Sequence, residues 1–121
     1  MAAFLGSTSI PAQERSPHAR VPDIECENDA QPDPDCVKAA RDKAEKAYAA
    51  ETTRISDQLL GIEDRRDEQL EGATDPAVIS QINDRADQAL RLSARNHRLN
   101  IQRITETYAQ EGAECCPTGD Q

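Results

Sequence analysis

The sequence predicts an all-α protein: a long antiparallel two-helix hairpin of coiled-coil-like character, with an extended N-terminal arm and disulfide staples at the open end. Three observations lead there. Two long stretches place apolar residues three or four apart, each opens on Asp-Pro, and the break Glu71-Gly72-Ala73-Thr74-Asp75-Pro76 separates them. Folding the chain at that break brings Cys36, near the start of the first helix, alongside Cys115 and Cys116, just past the end of the second.

Residues 1–32 form the arm. The patch Ala2-Ala3-Phe4-Leu5 has no basic flank and is too short for a complete signal peptide or a membrane span. Residues 1–12 then read either as the tail of an export signal cleaved after Ala12 or as a floppy terminus. From Glu14 to Gln31 the chain carries Pro17, Pro22 and scattered acids without periodicity, which reads as extended backbone holding Cys26.

Pro32 and Pro34 prevent a helix from running between Cys26 and Cys36. The first helix is expected over residues 33–71, with Asp33 as N-cap, Pro34 at the first helical position, where its missing N–H costs nothing, and Asp35 favouring the positive end of the dipole. Its stripe is Val37, Ala40, Ala44, Ala47, Tyr48, Ile55, Leu59, Ile62 and Leu70, interrupted by Glu51 and Arg66. Gly61 weakens the helix by about 1 kcal/mol relative to Ala without breaking it.

Residues 72–75 make the turn, and the second helix, 76–112, opens with the same device, Asp75-Pro76. Its stripe is Ile79, Ile82, Ala86, Ala89, Leu90, Ile101, Ile104 and Tyr108, with Ser93 and His97 at facing positions and Gly112 as a C-terminal stop. Residues 33–116 thus constitute the hairpin and 117–121 a short irregular tail. A turn centred near Ala73 pairs residues whose numbers sum to roughly 147, each helix being about 54 Å long at the standard rise. Tyr48 is then expected near Leu99 and Asn100, and Ile62 near Arg85 and Ala86.

Composition bounds function. With 36% hydrophobic residues, one Phe, two Tyr and no Trp, any core is thin and aliphatic. A net charge of -9 argues against nucleic acid and anionic membrane surfaces as partners, and no stretch suits membrane insertion. The even count of four cysteines, Cys26, Cys36, Cys115 and Cys116, points to two disulfides and an oxidising compartment, whether secreted, periplasmic or virion. Long loops closed by bridges from Cys26 and Cys36 to the Cys115-Cys116 pair fit the hairpin best. A Cys26–Cys36 loop with a strained vicinal bridge ranks second, and zinc lower still, because the spacing lacks Cys-x2-4-Cys pairs.

Nothing in the sequence marks a catalytic residue, a metal ligand or a cofactor site. His18 and His97 have no nucleophile motif around them, and Asp23, Asp29, Asp33 and Asp35 lack the ligand spacing of a calcium loop. Cys115 and Cys116 follow a helix C-terminus, whose negative end disfavours a reactive thiolate, so a thiol-redox protein is a distant third reading. Leu60, Leu92 and Leu99 fall off the main stripes. With Arg95 and Arg103 they form the expected surface for a protein partner or a second copy. The sequence therefore reads as a non-enzymatic interaction protein, with a secreted inhibitor presenting the acidic tip, residues 62–75, as the alternative.

Overall fold

The computed structural model describes residues 21–117. The reading of residues 1–12 as a signal remnant, His18 and the end of the tail lie outside the described residues. Helix α1 spans Pro34–Leu70 and α2 spans Pro76–Ala113, preceded by a short 3-10 turn at Glu27–Asp29. The described residues contain no strand. The chain is an all-α two-helix hairpin with two disulfides at its helix ends.

Both helices start as their sequences dictate. Asp33 Oδ1 accepts the Asp35 N–H at 3.1 Å, and Asp75 Oδ1 accepts the Ala77 N–H at 2.9 Å, so each aspartate satisfies a donor the helix itself leaves unpaired. At the other end of α1, Gly72 adopts φ 79°, the left-handed conformation that closes a helix, and the Ala73 N–H returns to the Leu70 carbonyl at 3.0 Å.

The chain divides into two compact units, each drawing on both helices. Among the described residues, the clasp unit comprises those up to Ala49 and those from Arg103 onward. Its cross-helix pairs are Cys36 with Cys115, Lys43 with Glu111 and Tyr48 with Thr105, an antiparallel order. The buried residues are Val21, Ala40, Ala44, Tyr48, Tyr108, Gly112 and Cys115. Two alanines one turn apart let the backbones approach, and two tyrosines fill the volume that remains. Arg41 stands 6.0 Å above the Tyr108 ring, a cation–π contact.

The described part of the arm, residues 21–32, belongs to this unit. Ile24 lies directly over Gly112, where an added Cβ would sit 2.0 Å from its Cδ1 and 2.7 Å from its Cγ1. Gly112 therefore does not act as a stop: α2 continues to Ala113, and the glycine serves to admit the arm. The chain then tightens, with Cys115 N–H bonding the Gly112 carbonyl and Cys116 N–H the Ala113 carbonyl, and Asp33 N–H bonds the Cys115 carbonyl at 2.9 Å. Cys26 joins Cys116 and Cys36 joins Cys115, the long-loop pairing, across 90 and 79 residues of sequence.

The tip unit is Ala50–Gln102. Its pairs, Glu51 with His97 and Asn100 and Gln58 with Ser93, again run antiparallel. Ile82 and Ala86 are its buried apolar residues, whereas Glu51 and Ser93, both polar, are buried at its middle. Ile62 lines one hollow with Arg85 and Ala86, the neighbours expected of it.

The register departs from the expected sum where Tyr48 is concerned. Its hydroxyl bonds Thr105, more than a turn beyond Leu99. The reason is the direction of side chains on a helix: each leans toward its own N-terminus. In an antiparallel pair the two leans oppose each other, so contacting residues lie later in both helices than their Cα levels indicate.

Candidate functional site

The tip unit holds a network of polar side chains that joins its two helices. Glu51, 7% exposed, receives Arg54 Nε at 2.9 Å and Nη2 at 2.7 Å, both from one turn along α1. From α2, Asn100 Nδ2 reaches its other face at 3.1 Å, and His97 Nδ1 lies 2.8 Å from Oε2. Arg54 continues through Nη1 to Gln58 Oε1 at 2.9 Å, which also accepts the Ser93 hydroxyl at 2.7 Å. The result is a connected network of six side chains across the two helices.

Electrostatics follow from this geometry. The Arg54 guanidinium, forked onto the carboxylate, is the largest influence on Glu51 and holds its pKa down to about 2 from the ordinary 4.5. Burial opposes this, and the bonds from His97 and Asn100 add to it. An ionised carboxylate only accepts, so His97 donates through Nδ1. The arrangement links the two helices through four side chains gathered on one ionised carboxylate or its guanidinium partner.

Sequence reasoning recognised Glu51 only as an interruption of the apolar stripe and His97 only as a facing position on the second helix. It did not bring them together, and it did not single out Arg54, Gln58 or Asn100. The signal was present in the register, because projecting Glu51 across the turn lands beside His97.

The surface residues separate into two faces. Leu92 and Leu99, 57% and 47% exposed, lie seven residues apart on one side of α2, with Val78, 42% exposed, two heptads before Leu92. Arg95 stands between the two leucines, within one turn of both. Leu60, 58% exposed, is about two and a half turns along α1 from Glu51 and so occupies the outward side of that helix. Of the expected surface residues, Leu92, Leu99 and Arg95 share a face of α2, Arg103 follows Leu99 by four positions on the same helix, and Leu60 lies on α1.

All four described cysteines are in disulfides, with Cys115 buried. No group of His, Cys, Asp or Glu side chains among the described residues is arranged to hold a metal ion. No helix among them is long and apolar enough to cross a membrane. Two disulfides are consistent with an oxidising, extracellular-type compartment. No protein-family model, curated protein or solved structure matches this chain.

Proposed function

We propose that this is a non-enzymatic interaction protein, an exported helical hairpin that works by protein–protein contact in an envelope, extracellular or virion assembly. The observation that carries the reading is the pair Leu92 and Leu99, exposed at heptad spacing on one side of α2. Large aliphatic side chains held in line on a rigid helix offer apolar area to a partner at little entropic cost. The covalent clasp suits a secreted, periplasmic or virion setting, where a thin core needs support. Glu51, the one buried acid among the described residues, is engaged by Arg54, His97 and Asn100, which favours scaffold over catalyst.

Replacing Leu92→Lys together with Leu99→Lys tests this. Incorporation into the native assembly should be lost while circular dichroism retains the helical signal; incorporation at the original level rejects the proposal.

A second reading, a secreted inhibitor, draws on the acidic tip. Asp64, Asp67, Glu68 and Glu71 line an open hollow beside Gly61 and Arg65, a surface suited to a basic cleft. Binding of that kind would weaken steeply with salt and respond to charge reversal at the tip, whereas a leucine-mediated contact would not. A thiol-redox role is third: Cys115 and Cys116 are bridged to different partners and follow a helix C-terminus.

A further inference from the structure

We propose that the partner includes a second copy of this chain, the basic leucine face of α2 on one copy seating on the acidic leucine face of α1 on the next. The inference rests on the contact reading above and names the occupant of that surface.

The two exposed faces of the tip unit carry opposite charge. Around Leu60, the positions three or four residues away on α1 include Asp57, Glu63 and Asp64. None of these acids makes an ion pair with a described residue. Around Leu92 and Leu99 the sign reverses. The positions three or four residues from these leucines include Arg95 and no acid, in a chain of 23 acidic residues. Arg85 lies one heptad before Leu92 on the same side, and Arg85 and Arg95 are likewise without ion pairs among the described residues.

Charge complementarity selects the mode. Pairing α2 with α2 about a two-fold axis brings cationic sides together, and pairing α1 with α1 brings acids together. Only the heterologous contact sets Arg85 and Arg95 opposite Asp57 and Asp64 while burying leucine against leucine. Such a contact leaves one face of each kind free on every pair, so association continues beyond the dimer.

The test is the solution mass of the purified, oxidised chain by analytical ultracentrifugation across a wide concentration range at low and high salt. The mass should rise with concentration past that of a dimer, more strongly at low salt. A variant with Arg85→Glu and Arg95→Glu, and a second with Asp57→Arg and Asp64→Arg, should each self-associate about tenfold more weakly or worse. Circular dichroism should show both folded, and mixing the two should restore association, since each then supplies the sign the other lacks.

A wild-type chain that stays monomeric throughout, reversed variants that associate like the wild type, or a mixture that stays apart would each overturn the proposal. If the wild type is monomeric and Leu92→Lys with Leu99→Lys still abolishes native assembly, the second-copy partner is rejected and the contact reading survives. If native assembly is also unaffected, both are rejected.

Discussion

Glu51 and His97, 46 residues apart in sequence, meet at 2.8 Å where the apolar stripes of both helices are interrupted. Each interruption is the other's partner. A polar pair at this level costs stability relative to leucines, yet it is matched in only one register, because sliding one helix by a turn would strand a buried carboxylate.

Removing the acceptor should therefore be expensive. Glu51→Ala leaves Arg54, His97 and Asn100 without their shared partner and should destabilise the fold by about 2–4 kcal/mol, measured by urea denaturation. A cycle with His97→Ala should return a coupling energy of about 0.5–3 kcal/mol, and additivity would show the pair to be incidental.

The same carboxylate sets an acid limit. Its folded pKa, about 2, lies below the ordinary 4.5, so folding favours the charged form. The resulting stability, about 3 kcal/mol from the size of the shift, is complete above pH 4.5 and is lost as the pH falls toward 2. Urea midpoints should decline through that window in the wild type and decline less in Glu51→Gln.

Two helical glycines should respond to alanine with opposite signs. At Gly61 an added Cβ meets nothing within 4 Å, so Gly61→Ala should stabilise by about 0.5–1 kcal/mol through helix propensity. At Gly112 the Cβ collides with Ile24, and the overpacking should outweigh the propensity gain, a net loss of about 1 kcal/mol. Thermal melts will show the signs, and adding Ile24→Ala should relieve the Gly112→Ala defect.

The disulfides should open in order. Cys115 is buried while Cys26 and Cys116 are both partly exposed, so a reductant reaches the Cys26–Cys116 bridge first. Alkylation under mild reduction should label Cys26 and Cys116 before Cys36 and Cys115. Each bridge closes a loop long enough to contribute about 4–5 kcal/mol in the chain-entropy model, so full reduction should lower the melting temperature sharply.

Much of the fold is legible because its signals are local. Asp33-Pro34 and Asp75-Pro76 announce helix starts within a few residues, and the left-handed Gly72 marks the turn. The pairing of Cys36 with the Cys115-Cys116 region follows from where the turn falls. The polar network was harder to see, since periodicity scores a buried Glu51 as an error and says nothing of what lies across from it. Gly112 misled for a related reason: a glycine near a helix end has two uses, and only the position of Ile24 distinguishes them. The opposite charge of the Leu60 and Leu92 sides was present in the sequence, but it becomes meaningful only once the outward direction of each helix is known.

The clasp brings the Cα atoms of Cys26 and Cys116 to 5.6 Å of each other. A segment whose entry and exit are that close can be grafted into a surface loop of an unrelated host without prying the host apart. Transplanted as an insertion, residues 26–116 would join the host through two ends already tied to each other by a covalent bond.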